Sequence, residues 1–196
     1  DLARRLGHGY VDTTPALVPL MLDDACHARL AGVALPAAVT IRAAGRRVVR
    51  LEGAMLWTHF GASGPVILNA SRHWLRARLE AREPEVLLNV MPGETFESVE
   101  DWLQNQQCER PRATVRRGLA SRLPGAIADL WVEALGLGEA TTLAHLGRED
   151  RRRLVRALVE MPVRVRDSRG YNHAEVTAGG VRLTEIESAT MECRVC

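Results

Sequence analysis

Residues 32–57 read GVALPAAVTIRAAGRRVVRLEGAMLW, and the spacing of apolar residues in this stretch decides the fold class. Val33, Leu35, Ala37, Val39 and Ile41 fall on every second position, and further on Val49 and Leu51 alternate with Arg50 and Glu52. Strand side chains point to opposite faces in turn, so each half predicts a strand with one apolar face. Gly45 between the halves accepts the positive φ of a tight turn, so the pair predicts an antiparallel unit with one wet face. Pro36 has no amide hydrogen to give to a ladder, which argues for an edge position.

On the C-terminal side, Glu85–Met91 predicts a further strand, ended by Pro92-Gly93. The texture then changes. Thr95 stands as N-cap before Phe96, Val99 and Leu103 at helical spacing; Val115, Leu119 and Leu123 form a second stripe after Pro111. Pro124-Gly125 opens a third helix, with Ile127, Leu130, Trp131, Ala134 and Leu135 at i, i+3, i+4, i+7 and i+8, and Arg148–Met161 makes a fourth, with Leu154, Leu158 and Met161 on one side. Pro162 ends it, and strand alternation resumes at Val163–Arg166. A block of fewer than about 80 residues rarely makes a robust core alone, so it should dock on the β-part. The expected architecture is α+β: an antiparallel β-barrel-like domain with an inserted small helical domain. Its divisions are 1–92 for the first β-part, 93–160 for the helices and 161–196 for the return.

On the N-terminal side, Pro15 and Pro19 exclude a helix interior and a central strand, so residues 6–22 read as an extended edge or loop. His8, between two glycines, reads as a turn residue. Thr58–Pro65 is glycine-rich and precedes an apolar helix, for which Ser63 is the expected cap and Pro65 a first-turn residue. Free amides at such a start attract anions. A nucleophile elbow needs G-x-S-x-G, and Pro65 stands in the fifth place, so Ser63 fails that test.

Residues 173–192, HAEVTAGGVRLTEIESATME, hold a glycine pair between two alternating runs. Gly179-Gly180 predicts a tight reversal and a plain hairpin. Thr177, Glu185 and Thr190 crowd polar groups nearby, and glycines also mark places where backbone approaches a ligand. Spacing leaves both readings open.

The chain has 196 residues, 21.6 kDa and a net charge of +2, and its 26 basic residues are all arginine. No apolar run approaches the roughly 18 residues of a membrane span, and so small a net charge does not point to nucleic acid or membrane. Between Arg148 and Arg169, eight arginines face four acidic residues. With no interleaved aromatics, this reads as a solvated helix face; its competitor is a non-enzymatic module that binds an acidic partner or nucleic acid. Four scattered cysteines, Cys26, Cys108, Cys193 and Cys196, suit a reducing, cytoplasmic setting. The terminal C-x-x-C has no second ligand pair, so no metal is expected. The chain starts at Asp1, not methionine, and shows no charged n-region before an apolar segment, so no signal peptide is expected.

Taken together, Thr58-His59-Phe60-Gly61 with Ser63-Gly64-Pro65, Gly170-Tyr171-Asn172, Ala174–Val181, Glu185-Ile186 and Thr190-Met191-Glu192 resemble the HI0933-like flavoproteins. These are FAD-dependent oxidoreductases that include aminoacetone oxidase-like proteins. The resemblance runs in order through most of the chain. It implies a parent in which a Rossmann-type FAD domain accompanies this β-barrel-like and helical part. It also implies that Thr177, Ala178, Gly179, Gly180 and Val181 face the flavin. His59, Tyr171, Asn172 and His173 become candidates for contact with a small-molecule substrate, while the catalytic residues stay unassigned. Gly7-His8-Gly9 and Gly136-Leu137-Gly138 both lack the third glycine of G-x-G-x-x-G, so the pyrophosphate cradle is missing. The expectation is therefore the middle of a flavoenzyme that is inert alone and retains no FAD, with Asp1 and Cys196 as fragment boundaries. Cys193 falls where the family commonly has serine.

Overall fold

The computed structural model describes residues 2–23 and 26–195. A short helix α1 (Leu2–Arg5) leads into strands β1 (Tyr10–Ala16) and β2 (Leu20–Leu22), and a second short helix α2 (Cys26–Arg29) follows. The predicted hairpin is β3 (Ala34–Ala43) and β4 (Arg46–Thr58). Its turn residues Ala44 and Gly45 have φ of 50° and 72°, the left-handed pair whose twist matches right-twisted strands and lets two residues close the loop. Leu35, Ala37, Val39 and Ile41 are buried, whereas Arg46, Arg47, Val48 and Arg50 lie in water.

Pro36 does not mark an edge strand. β3 runs between β4 and β6 (Glu85–Asn89), but the β6 ladder covers only Ala38–Arg42, so Pro36 lies beyond it and pairs only with Ala54 of β4. The proline excludes a second neighbour at its own position and not along the whole strand. β2 corrects the sequence expectation in the same way, since it is a central strand directly after Pro19.

β5 (Gly61–Ser63), β7 (Met161–Val163) and β8 (Val165–Ser168) complete an antiparallel seven-stranded sheet of order β7-β6-β3-β4-β5-β2-β8. Its two outer strands, β7 and β8, are separated by one residue, Arg164. The sheet must therefore curl until its edges converge there, and the Arg164 carbonyl accepts from the Asp23 amide at 3.0 Å. Among the described residues no ladder joins β7 to β8, so the barrel is curled without being closed.

Helix α3 (Pro65–Leu79) packs against β1, β3, β4 and β5 through Val66, Ile67, Ala70 and Trp74. Each large apolar side chain so buried contributes about 1.5–3 kcal/mol. Gly64, with φ 91°, is the N-cap, and Ser63 stays in the sheet paired with Leu56. A Cβ at Gly64 would come within 2.9 Å of the Ala54 carbonyl, so β4 excludes any side-chain cap from that position. Buried Ser71 replaces it as the polar tie: its hydroxyl donates to Leu68 O (2.8 Å) and accepts from Val18 N (3.2 Å).

The helical block contains α4 (Phe96–Glu109), α5 (Val115–Leu119), α6 (Gly125–Ala134) and α7 (Arg148–Val159). Val99, Leu103, Val115, Leu119, Ile127, Leu130, Trp131, Leu154 and Leu158 are buried as their spacing predicts, in one apolar cluster that continues into the sheet. Ala134, the last residue of α6, is exposed, and Met161 belongs to β7, because α7 ends at Val159. The Val90 amide donates to Leu158 O (2.9 Å), stitching α7 to the strand side. No helix among the described residues is long and apolar enough to cross a membrane.

Candidate functional site

The glycine pair does not form a hairpin. β9 (Val176–Val181) runs straight through Gly179 and Gly180 and pairs with β1, with Tyr10 opposite Val181, Val11 opposite Gly180 and Thr14 opposite Ala178. Asp12 and Thr13 of β1 therefore face Gly179 alone, which is a bulge with two residues against one. Gly179 has φ 100°, and a Cβ there would lie 2.6 Å from Asp12 O. Gly180 has φ 115° and open space where its Cβ would be. The group that approaches Gly179 closely is the chain's own β1.

Past the ribbon, the chain returns to its N-terminal segment. Arg182 N donates to Gly9 O (3.1 Å), and the Glu185 carboxylate accepts from Gly9 N at 3.0 Å. Glu185 also accepts from His8 Nδ1 (2.9 Å), and the other ring nitrogen, Nε2, lies 3.2 Å from Cys193 Sγ. The His8 side chain is 7% exposed and that of Glu185 19%. His8 is thus no simple turn residue: it clamps two segments more than 170 positions apart. The Gly9 amide, which an anion would need, is occupied by the carboxylate. Cys196, the other half of the C-x-x-C, lies outside the described residues.

The substrate candidates occupy two turns. His59 is exposed between β4 and β5, edge-on to Phe60 at 5.0 Å, and the Arg169 guanidinium sits 4.6 Å from the Phe60 ring. Tyr171, Asn172 and His173 form an exposed single turn shortly after Arg169, where Tyr171 OH donates to Thr13 Oγ1 at 3.0 Å. Arg169 so links the two turns, although no hydrogen bond among the described residues joins His59 to the other three. No group of three or more potential metal ligands occurs among the described residues.

The arginines divide into two kinds. On α7, Arg151 reaches Gln107 and Glu100, Arg153 pairs with Asp150, and Arg152 lies over Phe96. Arg116 pairs with Asp129 and holds that carboxyl below its usual range. The Ser98 hydroxyl, and then Arg122, lower Glu94 in the same way. Of the eight arginines in the run that the sequence singled out, Arg151, Arg152, Arg153 and Arg169 are engaged within the fold in these ways.

A family model described as HI0933-like protein barrel and H2TH domain matches residues 14–176. A ribosomal RNA dihydrouridine synthase of Escherichia coli (strain K12) is 31% identical over 196 residues, covering 98% of this chain and 46% of that protein. A 3-dehydro-bile acid delta(4,6)-reductase of Clostridium scindens is 29% identical over 194 residues, with 98% and 47% covered. A ribosomal RNA dihydrouridine synthase of Haemophilus influenzae is 28% identical over 194 residues, with 98% and 45% covered. The chain spans about half the length of the curated relatives it matches.

Proposed function

This chain belongs to the HI0933-like family of flavoproteins, and from that membership we propose that it is the substrate-side part of a flavin-dependent reductase. The observation that carries the reading is a set of exposed apolar side chains on and just after the β1–β9 ribbon. Val11 is 40% exposed, Val176 49%, Leu183 87% and Met191 75%, all on β1, β9 or the segment that follows them. Apolar surface costs about 25 cal/mol per Å² to leave in water, and a clustered patch of it marks a face that another body covers. A Rossmann-type FAD domain of the same parent chain is the proposed cover.

Bound flavin would supply the hydride. Residues 177–181 are the proposed wall against its ring, where Gly180 leaves room for close approach. The pyrophosphate finds no cradle here, because Glu185 takes the Gly9 amide, so its amides must come from the covering domain. His59, Tyr171, Asn172 and His173 orient the substrate, and the docked ribbon excludes water. Two relatives are named for making dihydrouridine and another as a 3-dehydro-bile acid delta(4,6)-reductase, so the reaction class we propose is reduction of an activated carbon–carbon double bond. The family resemblance implied a small-molecule substrate, and the small net charge did not point to nucleic acid. Two of the relatives are named for ribosomal RNA, and we place the substrate with RNA on that support.

The test compares this chain with a full-length parent. The parent should purify yellow and oxidise its reduced flavin when given an RNA substrate, while the isolated chain is colourless and inert. Tight stoichiometric flavin binding by the isolated chain would sink the proposal.

A further inference from the structure

We propose that the turn between α4 and α5 is an RNA-backbone contact surface, built by Arg110, Arg112 and Arg117 around one open hollow. Residues 93–160 hold ten arginines and eleven acidic residues, so bulk charge does not make this block basic. Arg110, Arg112, Arg117, Arg148 and Arg156 have no carboxylate partner among the described residues, and what distinguishes the turn is that three of these five line one hollow. Arg116, Arg122, Arg151 and Arg153 are held by carboxylates, and Arg152 lies over an aromatic ring. The side chains of Arg110, Arg112 and Arg117 make no ion pair or hydrogen bond with other described residues, and all three line a hollow of about 690 Å³. The acidic group lining it is Glu109, so the local balance is three positive charges to one negative.

Three mutually repelling guanidinium groups lower the fold's stability unless an anion relieves them. Each offers a planar fork of donors that matches phosphate oxygens, and several forks around one open hollow suit a partner whose negative charge repeats along a chain. The turn is geometrically firm. Pro111 limits its backbone, the Ala113 amide donates to Arg110 O (2.9 Å), and the Thr114 hydroxyl caps α5 by accepting from Arg117 N (3.2 Å). The arginine face that residue patterns suggested, on α7, is therefore displaced to α5 and the turn before it. This inference rests on the RNA-substrate reading above and adds where the polynucleotide lies.

The experiment measures binding of this chain to a fluorescein-labelled RNA stem-loop by anisotropy across a salt series. Arg110→Gln/Arg112→Gln/Arg117→Gln should weaken binding about tenfold or more and reduce the salt slope by about one for each phosphate left unneutralised. Arg152→Gln/Arg153→Gln should stay within about twofold of the parent chain. Arg112→Gln alone, which leaves the turn's backbone bonds intact, should remove about one unit of slope. Unchanged binding by the triple variant, or competition by poly-glutamate equal to that by unlabelled RNA, would overturn the proposal, the latter in favour of an acidic protein partner. In a full-length parent the triple variant should still reduce a free uridine nucleoside while losing turnover on RNA. Loss of both with RNA binding intact would instead indict the reductase reading.

Discussion

Gly179 and Gly180 are neighbours with similar backbone angles and different surroundings. At Gly179 the bulged β1 leaves no volume for a Cβ, whereas at Gly180 it would enter open space. Gly179→Ala should therefore destabilise by about 2–3 kcal/mol, adding a backbone clash to φ strain, and Gly180→Ala by about 1–2 kcal/mol from φ strain alone. Urea denaturation of both variants checks this, and equal losses would show that the β1 contact is soft. In a full-length parent the order should reverse for flavin affinity, Gly180→Ala being the more harmful. That the pair is special was legible in the sequence. Its role was not, because positive φ serves a turn and a bulged ladder alike, and nothing local to residues 173–192 reveals β1 lying across from them.

Helix α4 shows the opposite case, an element whose start is written in its own residues. Thr95 Oγ1 accepts from Ser98 N (3.2 Å) and Ser98 Oγ accepts from Thr95 N (3.0 Å), a reciprocal cap that satisfies two amides the helix cannot. Thr95→Ala should cost about 1 kcal/mol, read as a lower urea midpoint at an unchanged m-value. A loss under a few tenths would mean that Glu94 and Arg122 hold the start instead. At α3 the same reasoning from residue type chose Ser63, and the neighbouring strand overruled it at Gly64. Caps are legible where the helix start faces water and illegible where another element presses on it.

At the scale of the whole molecule, one buried cluster spans the curled sheet, α3 and the four later helices. Such continuity predicts a single cooperative transition. Trp57 and Trp74 report from the sheet side, and Trp102 and Trp131 from the helices. Intrinsic fluorescence and far-UV circular dichroism should then give superimposable denaturation curves, and two separated transitions would show that the helices fold as an independent unit. Strand alternation, helical stripes, the α4 cap and the family motifs were all determined by the sequence itself, because each depends on residues within a turn or two of one another. Only the tertiary structure decided the pairing of β9 with β1, the meeting of the sheet edges at Arg164, the clamp of His8 by Glu185, and which arginines keep an unspent charge. Those outcomes depend on which distant groups arrive within a few ångströms, and chain closure over more than a hundred residues leaves no local signature of that arrival.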